Sequence, residues 1–490
     1  MRIAFVYRGA ENLGLEYLSS FLKAHGHEVR LFFDPASFSG ERGSNIPLLA
    51  ALAPDWVSRI ASAVARYSPD LVGFSVYTSC YQWALRTARA IREQVPAPIV
   101  FGGVHVTGDP ARVLRQEVVD AVVVGEGEGA ILDIVESLRK GKISRSDIPN
   151  VGVKDNGRMI INPPRPYIRD LDSLPPPDKE LFYEKSAAFS HVYLAMTSRG
   201  CPFRCHYCMN SLYPSLYPNE HGHVRRQSVD RVIRELEPWR AVSRMVSFWD
   251  DVFPLDRSWL SEFASKYPEK IGLPFLCFVH PRSLTLEMAQ MLARAGCAGV
   301  KIGVESVSET GRKFLGRTGT TDEARRAALI LKEVGIPFSM DHMLGLPGEG
   351  EKELMEAVKF YIDTQPIRIN SHWLSYLPGS RLLEEECKKG NLKEAEAEAV
   401  REGVGQTTFM HPRNKEGTGM REALAAMMAF DLIPLIPASW INRLIRKGLP
   451  KWLRYNRIVH QALLVIASLK ARDAEMSGYV RYAFGRKRVP

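Results

Sequence analysis

The 490-residue sequence has little cysteine and no long apolar segment. Its seven cysteines are an odd number and too few for a disulfide scaffold, which excludes a small secreted disulfide-rich domain and leaves thiols free to bind a metal. No uninterrupted apolar run approaches the roughly 18–20 residues that a membrane-spanning helix needs. The opening residues, MRIAFVYRGAENLG, lack the pattern of a secretory signal peptide. These absences predict a cytoplasmic protein.

An excess of one charge is also missing from most of the chain. Hydrophobic residues make up 45% and charged residues 24%, which excludes a disordered tail and predicts buried cores. The net charge of the chain is +10. Residues 421–490 contain thirteen Lys and Arg and four Asp and Glu, so +9 of this charge lies in that segment. The sequence therefore lacks the evenly basic character of a general nucleic-acid-binding protein, and we expect no nucleic-acid partner.

Short β-branched segments alternate with helical patterns in the first third of the chain. The predicted strands are 2–7, 27–33, 71–76, 99–101 and 121–124. Continuous apolar strands separated by helices indicate a parallel sheet that is buried on both faces. Glycines follow several of these strands, at the carboxyl ends where open α/β sheets bind ligands. We expect a doubly wound, Rossmann-like domain over residues 1–140 and a proline-rich linker over 141–185.

The alternation of strand and helix resumes after the linker. The predicted strands are 192–196, 245–249, 276–279, 299–304, 338–343 and 370–376. Six βα units in this length favour a partial (β/α)6 barrel over residues 186–385 rather than a second open sheet. The remaining residues, 386–490, are predicted to form a helical and basic carboxy-terminal region. The fold class is therefore α/β with a helical end.

The sharpest motif is C-x3-C-x2-C, formed by Cys201, Cys205 and Cys208 directly after a predicted strand. Such a loop wraps three thiolates around one soft metal centre. An iron–sulfur cubane takes four ligands, one per iron, so three cysteines leave one iron open for chemistry. A zinc site with His206 as fourth ligand and three purely structural cysteines are the alternatives. The other cysteines are expected to be small buried residues: Cys80, Cys277, Cys297 and Cys387.

The cysteine motif, with the aromatic Tyr207 before its last member, resembles the radical S-adenosylmethionine (SAM) superfamily. The preceding sheet resembles the cobalamin-binding domain of the B12-dependent group, so that the resemblance covers about residues 1–380. It implies a 4Fe-4S cluster held by Cys201, Cys205 and Cys208, with the open iron chelating SAM. It also implies an electron donor, such as flavodoxin or ferredoxin, for cleavage of SAM to a 5′-deoxyadenosyl radical.

The resemblance places the SAM contacts at the ends of the barrel strands, where barrel enzymes build their sites. They are Asp250 and Asp251 toward the amino group, Arg282 toward the carboxylate, Glu305 and Ser306 at the ribose position, and Gly345 in the turn Leu344–Glu349. The usual Gly-Gly-Glu at the second strand is absent. Read without the resemblance, each charged side chain in this set is an ordinary surface ion pair.

The resemblance assigns cobalamin to glycines and polar residues that follow three strands of the first domain. They are Ser75, Tyr77, Gly102, Gly103, Gly125 and Glu126. Small residues let the nucleotide tail of the cofactor approach the backbone closely. The loop Arg8–Gly14 lacks the histidine that binds cobalt from below in better-known members, and His105 is the only histidine near the motif. Either cobalt has no lower protein ligand, or cobalamin has been lost.

The basic end of the chain permits two main interpretations; nucleic-acid binding is a third, which has stacking aromatics but no recognised module in its favour. Residues 434–460 interleave Leu, Ile and Trp with Arg and Lys. One interpretation is a helix lying in a membrane interface, anchored by Trp440 and Trp452, which implies peripheral membrane association and suits a lipid substrate. The other is a helical cap that covers the barrel mouth with its apolar face and exposes its basic face.

Together these features predict a B12-dependent radical SAM enzyme that methylates an unactivated carbon of a small-molecule or lipid substrate. The resemblance implies that one SAM generates the radical, methylcobalamin delivers the methyl group and a second SAM restores it. A cyclase, ring-rearranging or oxidative enzyme with the same cofactors is the first alternative. A metal-binding scaffold without turnover is the second.

Overall fold

The computed structural model describes residues 1–36, 54–141, 147–155, 157–220, 222–253, 256–404, 420–445 and 455–470. These residues form two compact units, neither of which is contiguous in sequence. The first unit contains 1–185, 206–223 and 375–404, and the second contains 186–205, 224–374 and the described residues from 420 onward. The chain therefore passes from one unit to the other inside the cysteine motif, between Cys205 and His206.

The first unit contains a sheet whose first five strands are parallel. They are β1 (Arg2–Arg8), β2 (Glu28–Asp34), β3 (Leu71–Ser75), β4 (Ile99–Gly102) and β5 (Ala121–Val123). Their spatial order, β2-β1-β3-β4-β5, is doubly wound, and the direction of winding reverses between β1 and β3. The predicted domain class and all five predicted strands are confirmed, with boundaries within one or two residues.

Helices connect these strands. They are α1 (Leu13–Ala24), α2 (Trp56–Tyr67), α3 (Tyr81–Arg92), α4 (Val104–Gly108), α5 (Pro110–Arg115) and α6 (Glu128–Arg139). Side-chain caps define several of their starts. Asn12 accepts a hydrogen bond from the Leu15 amide to begin α1, and Asp55 accepts one from the Ser58 amide to begin α2. The apolar faces of α2 and α3 pack on β1 and β3, so the sheet is covered.

The segment that sequence analysis assigned to a linker contains more structure than predicted. An antiparallel hairpin, β6 (Val151–Asp155) and β7 (Arg158–Ile161), extends the sheet beyond β5. A short helix, α7 (Glu180–Tyr183), follows the prolines. The strands of the hairpin are too short for their alternation to stand out in sequence between glycine and proline.

A fully buried lysine fastens the end of this segment to the first sheet. The Lys179 ammonium lies 2.9 Å from a carboxylate oxygen of Glu11 and 2.8 Å from one of Glu16. Burial lowers the pKa of Lys179, but the two carboxylates outweigh burial and raise it overall. Removing one partner of such a buried ion pair typically lowers the free energy of unfolding by about 3–5 kcal/mol. The ion pairs of Lys179 therefore hold the end of the linker against the residues that follow β1.

The second unit contains a six-stranded parallel sheet and a two-stranded ribbon. The strands are β8 (Val192–Ala195), β9 (Ser198–Arg199), β10 (Arg225–Arg226), β11 (Met245–Phe248), β12 (Phe275–Val279), β13 (Cys297–Glu305), β14 (Phe338–Leu344) and β15 (Arg368–Trp373). The large sheet has the order β15-β14-β13-β12-β11-β8, and β9 pairs with β10. Within the described ranges β8 and β15 remain edges, which confirms a partial barrel.

Helices cover one face of this sheet. The helices between β9 and β15 are α8 (Tyr213–Leu216), which belongs to the first unit, and α9 (Val229–Leu236), α10 (Arg257–Lys270), α11 (Leu286–Arg294), α12 (Glu309–Phe314), α13 (Thr321–Glu333) and α14 (Glu351–Thr364). Alternate residues of β13, namely Val300, Ile302 and Val304, belong to the core that these helices cover. The residues between them lie on the other face of the sheet, because side chains alternate along a strand.

The carboxy-terminal helices divide between the two units. They are α15 (Arg381–Lys388) and α16 (Glu394–Arg401) in the first unit, and α17 (Met420–Leu432), α18 (Ala438–Leu444) and α19 (Arg457–Lys470) in the second. Phe430 of α17 packs against Tyr361 and His342 in the barrel core. None of the helices in the described ranges is long and apolar enough to cross a membrane. Trp452 lies outside the described residues.

A substitution at Gly103 tests the described fold of the first unit. Its φ is +100°, and a β-carbon there would stand 2.7 Å from the backbone nitrogen and oxygen of Val76. We expect Gly103→Ala to lower the free energy of unfolding by about 1–3 kcal/mol, because alanine is strained at this φ and the obstacle is backbone. Gly102→Ala is the matched control, since its β-carbon would meet only ordinary contacts at 3.7 Å and beyond. Urea unfolding that shows equal losses for both variants would contradict this account.

Candidate cofactor sites

A buried carboxylate fixes the chain just before the cysteine motif. Asp250, at the end of β11, accepts hydrogen bonds from the Thr197 amide at 2.9 Å, the Thr197 hydroxyl at 2.6 Å and the Ser198 hydroxyl. Burial raises the pKa of Asp250, which the neighbouring Arg226 and these hydrogen bonds partly offset. Sequence analysis predicted a SAM contact at Asp250. The structure shows its carboxylate in contact with Thr197 and Ser198, three residues or more before Cys201, and the SAM contact stays a prediction.

Cys201 and Cys205 lie on the part of the motif that belongs to the second unit. Phe203, between them, stacks on the His280 ring with centroids 3.7 Å apart. Burial and, to a smaller extent, the positive charge of the nearby Arg317 together lower the pKa of His280 to about 3, so this ring is neutral. Stacking on a buried neutral ring holds the Cys201–Cys205 loop in one conformation.

Arg317 is the cation that contacts this loop. One guanidinium nitrogen, Nη1, donates to the Cys205 sulfur at 3.7 Å, and Nη2 donates to the Gly303 carbonyl oxygen. Burial raises the pKa of the Cys205 thiol, while Arg317 opposes that shift. A guanidinium beside a sulfur stabilises negative charge on it. Sequence analysis did not single out Arg317; its position between two glycines, Gly316 and Gly319, was the available signal.

Cys208 lies on the segment that belongs to the first unit. The Asn210 side-chain amide donates to the Cys208 sulfur at 3.7 Å, and the Cys208 carbonyl oxygen accepts from the Ser211 amide. His206, the alternative zinc ligand, has its Nδ1 3.5 Å from a carboxylate oxygen of Glu385 on α15. Its carbonyl accepts from the Leu382 amide at 2.9 Å. These two contacts hold His206 against α15.

Glu305 ends β13 in an unusual backbone conformation. Its φ is +66°, in the left-handed region that favours glycine, and the pairing with β14 shifts register there. The next residue, Ser306, is buried and donates to a carboxylate oxygen of Glu349, which Ser308 also contacts at 2.6 Å. Burial raises the pKa of Glu349, and the two hydroxyls moderate this rise. Glu349 thereby ties the glycine-rich turn after β14 to the turn after β13.

The other predicted SAM residues lie at strand ends of the same sheet but in different environments. Gly345 has φ +78°, and a β-carbon there would stand 3.1 Å from the Trp373 ring. Asp251 is exposed. The Arg282 side chain is 59% exposed and lies 4.0 Å from a carboxylate oxygen of Glu323. Arg317 contacts the Cys205 sulfur, and the contact of Arg282 with the SAM carboxylate stays a prediction.

The predicted cobalamin residues cluster at the carboxyl ends of β3, β4 and β5. Ser75 pairs with Gly102 across neighbouring strands, which brings the two predicted motifs side by side. The Tyr77 hydroxyl donates to the Arg8 carbonyl oxygen at 3.1 Å, so Tyr77 contacts the loop after β1. This edge of the sheet adjoins the point at which winding reverses, where doubly wound sheets bind their ligands.

The histidine closest to these glycines is packed away. His105 is 1% exposed, stacks on Tyr81 with centroids 4.2 Å apart, and has its Nδ1 3.3 Å from the Thr78 hydroxyl. Burial lowers the pKa of His105 to about 4, so it is neutral. The loop after β1 holds Glu11, whose carboxylate pairs with Lys179 in place of a histidine.

Gly125 and Glu126 contact a tyrosine that sequence analysis did not single out. A β-carbon on Gly125 would stand 2.2 Å from the Tyr217 hydroxyl, and the Glu126 amide donates to that hydroxyl at 3.2 Å. The Glu126 carboxylate accepts from the Ile168 amide at 3.0 Å. Tyr217 also stacks on Tyr167 with centroids 4.0 Å apart. Residues 206–223, which begin two residues before Cys208, thus dock on the loop after β5.

The residues present fit the implied cofactors. All seven cysteines are free thiols, and three of them share one loop with a guanidinium beside one sulfur. In the described part of the chain no three His, Cys, Asp or Glu side chains gather around one point as a single metal ion requires. A cubane takes one cysteine per iron, so its ligands need not converge in that way. A β-carbon on Gly102 would meet only ordinary contacts at 3.7 Å and beyond, so the end of β4 has no side chain where the resemblance places the cobalamin tail.

Two family models match separate parts of the chain. Residues 3–135 match the B12 binding domain, and residues 196–361 match the Radical SAM superfamily. The chain belongs to the radical SAM superfamily and carries an amino-terminal B12-binding domain, so it is an enzyme that uses a 4Fe-4S cluster, SAM and cobalamin.

Three known proteins illustrate the relationship. The chain is 30% identical to an uncharacterized methyltransferase of Pyrococcus horikoshii over 76% of this chain and 77% of that protein. It is 25% identical to the anaerobic magnesium-protoporphyrin IX monomethyl ester cyclase of Rubrivivax gelatinosus, over 77% and 68%. The structure of the radical SAM methyltransferase TsrM from Kitasatospora setae, with cobalamin and a [4Fe-4S] cluster bound, has the same fold (TM-score 0.66, 16% identity, 97% and 99% covered).

Arg317 leads to a prediction for the cluster. We expect Arg317→Met to lower the reduction potential of the reconstituted cluster by about 60 mV or more. A charge-assisted hydrogen bond to a ligand sulfur stabilises the reduced state, and about 59 mV corresponds to 1.4 kcal/mol for one electron. A potentiometric titration followed by electron paramagnetic resonance measures the shift. Arg325→Met, which removes an exposed guanidinium paired with Asp363, is the control. An unchanged potential in Arg317→Met would refute the assignment.

Proposed function

We propose that this protein transfers a methyl group to an unactivated carbon of a small molecule. One chain contains both the strand-end glycines of the first sheet and the cysteine loop beside Arg317. The same chain is 30% identical to a protein described as a methyltransferase, and this combination carries the proposal. When bound, the cluster with SAM supplies a 5′-deoxyadenosyl radical, and cobalamin supplies a transferable methyl group.

The chain's own residues have distinct roles in this proposal. Cys201, Cys205 and Cys208 hold the cluster, and Arg317 stabilises negative charge on the Cys205 sulfur. Asp250 is a positioning residue, because its carboxylate is committed to Thr197 and Ser198. Asp250 also remains among the proposed SAM-binding residues, by its place after β11.

SAM and cobalamin contacts follow from the strand-end positions. Asp251, Arg282, Glu305, Ser306 and Gly345 are the proposed SAM-binding residues, and the backbone of Glu305 directs the turn that carries two of them. The proposed cobalamin-binding residues are Ser75, Tyr77, Gly102, Gly103, Gly125 and Glu126. A one-electron donor such as flavodoxin or ferredoxin is required, since SAM cleavage consumes an electron.

A cyclase-type reaction is the second candidate. It is favoured by the 25% identity to the magnesium-protoporphyrin cyclase of Rubrivivax gelatinosus, which extends over 77% of this chain. Both reactions begin with hydrogen abstraction by the same radical, so the cofactor residues do not separate them. Methylation consumes a second SAM and releases S-adenosylhomocysteine, which a cyclase does not require.

Product analysis separates the two candidates. Anaerobically reconstituted protein is incubated with SAM, methylcobalamin, a reductant and a cell extract. We expect both 5′-deoxyadenosine and S-adenosylhomocysteine, and we expect Cys205→Ala to lose both because the cluster loses a ligand. Cys387→Ala, which alters a half-buried cysteine outside the motif, is the control. 5′-Deoxyadenosine without S-adenosylhomocysteine would favour the cyclase, and absence of both would leave a scaffold.

We further propose peripheral membrane contact through α19. His460 and Ala467 on one side of this helix are buried, and His460 Nδ1 lies 2.5 Å from Asp431 of α17. Five large apolar side chains are exposed, with exposed fractions of 81%, 44%, 40%, 52% and 73%: Ile458, Val459, Val465, Ile466 and Leu469. One side of the helix is thus packed, in line with the cap interpretation, and the opposite side is apolar and exposed. Residues 421–490, which include this helix, carry a net charge of +9, which favours contact with an anionic membrane surface.

Vesicle binding tests this contact. We expect the protein to sediment with vesicles that contain phosphatidylglycerol, and the double variant Ile466→Ser/Leu469→Ser to bind at least about tenfold more weakly, because each buried apolar side chain contributes about 1.5–3 kcal/mol. Leu329→Ser, at an exposed leucine of α13, is the control. Equal sedimentation of wild type and double variant would disprove the contact.

A further inference from the structure

The face of the large sheet that the helices leave uncovered is polar along its last three strands. On β13, Lys301 is half-buried between Val300 and Ile302, which belong to the helix-covered core. On β14, Asp341 is half-buried between Met340 and His342. Because alternate residues of a strand point to opposite faces, Lys301 and Asp341 lie on the uncovered face. The interiors of ordinary β/α barrels are filled by branched apolar residues, so charges at these positions are unusual.

The polar side chains of this face contact one another. The Asn370 amide donates to a carboxylate oxygen of Asp341 at 2.7 Å, and the two residues pair across β14 and β15. His372 Nε2 lies 3.8 Å from the same oxygen. Burial raises the pKa of Asp341, but the His372 ring, the Lys301 ammonium and the Asn370 amide together lower it below its usual value. Asp341 is therefore an ionised hydrogen-bond acceptor inside the sheet.

An aromatic surface adjoins this cluster. The Lys301 ammonium stands 5.0 Å from the centre of the Phe278 ring on β12. Phe278 in turn contacts Trp249, at the end of β11, with ring centroids 5.6 Å apart. The Trp249 side chain is 45% exposed. Moving from β11 to β15, the uncovered face thus changes from aromatic to charged.

Stability alone does not account for this arrangement. Burying a carboxylate costs several kcal/mol even when it is paired, and apolar residues of similar volume often replace buried ion pairs without loss. The side chains of Asp341 and His372 remain 17% and 23% exposed, so both are reachable from the uncovered face. An ionised acceptor beside an imidazole and an aromatic wall is suited to holding a polar molecule that also has a flat or apolar part.

We infer that Asp341, His372 and Asn370, with Lys301, form the substrate-binding surface, and that Phe278 and Trp249 contact the body of the substrate. The substrate is then a water-soluble metabolite that offers an amine or hydroxyl donor to Asp341, and it is not a hydrocarbon lipid. This inference rests on the proposed function, because it assigns the substrate of that same site.

Two extracts and three variants test the inference. The holoenzyme is incubated separately with the water-soluble and the chloroform–methanol extract of cells, and two quantities are measured. One is SAM-dependent 5′-deoxyadenosine above the rate without extract. The other is the set of small molecules retained by the holoenzyme on ultrafiltration, read by mass spectrometry. The variants are Asp341→Asn, His372→Gln and, as control, Asp363→Asn, which alters an exposed carboxylate on α14.

We expect the water-soluble extract to stimulate 5′-deoxyadenosine formation and to yield a retained molecule. Asp341→Asn and His372→Gln should retain at least about tenfold less of it, since a hydrogen bond to a charged group is worth about that factor in binding. Both should keep the iron content and the melting temperature of the wild type, which excludes misfolding. Asp363→Asn should behave as wild type.

Other outcomes overturn the inference and are distinct from failure of the proposed function. Stimulation by the lipid extract alone, by neither extract, or equal retention by Asp341→Asn would each refute the substrate surface. Absence of 5′-deoxyadenosine from the wild type in every incubation, each of which contains a one-electron reductant, would instead refute the proposed function, because SAM cleavage requires only the cluster, SAM and that reductant.

Discussion

The position of the cysteine loop depends on one buried carboxylate. Asp250 receives hydrogen bonds from Thr197 and Ser198, the residues that lead from β8 into β9. The rest of the arrangement builds on that anchor. The β9–β10 ribbon leads into the loop, Phe203 stacks on His280, and Arg317 contacts Cys205. A buried carboxylate thereby anchors the chain that leads into the cysteine loop.

Each cofactor region uses backbone at the carboxyl ends of parallel strands. In the first unit the relevant turns follow β3, β4 and β5, and in the second they follow β11, β13 and β14. In both, glycines or left-handed residues shape the turns, and in the second unit the half-buried Glu349 and the buried Asp250 hold them. The shared logic is that a rigid parallel sheet presents adjustable turns at one edge.

The sequence allowed the strands to be predicted because β-branched runs between glycine turns have few other interpretations. The strands β1–β5 and the six strands of the large sheet were all anticipated. The β6–β7 hairpin was not, since its strands are short and one is largely exposed. The cysteine motif was equally clear because its spacing is local. The roles of single side chains were harder: Asp250 was expected to face SAM, and only the fold reveals its partners.

Contacts between distant residues could not be read from sequence. Lys179 meets Glu11 across 168 positions, and Arg317 meets Cys205 across 112. Tyr217 resembles any other tyrosine until its hydroxyl is seen against Gly125. The polar face of the large sheet was also hidden, because Lys301 and Asp341 stand in strands whose neighbours are apolar. Alternation along one strand indicates a polar face, but only the pairing of three strands brings Asp341, Asn370 and His372 together.

The left-handed backbone of Glu305 has a consequence for ligand recognition. A residue other than glycine in this region carries about 1–3 kcal/mol of conformational strain, which the register shift beside β14 and the buried Ser306 maintain. The free-energy cost of this strain is incurred once, during folding. In the proposed SAM site this turn already has its final shape before the ligand binds, so less ordering entropy would be lost on association and more of the intrinsic contact energy would appear as affinity.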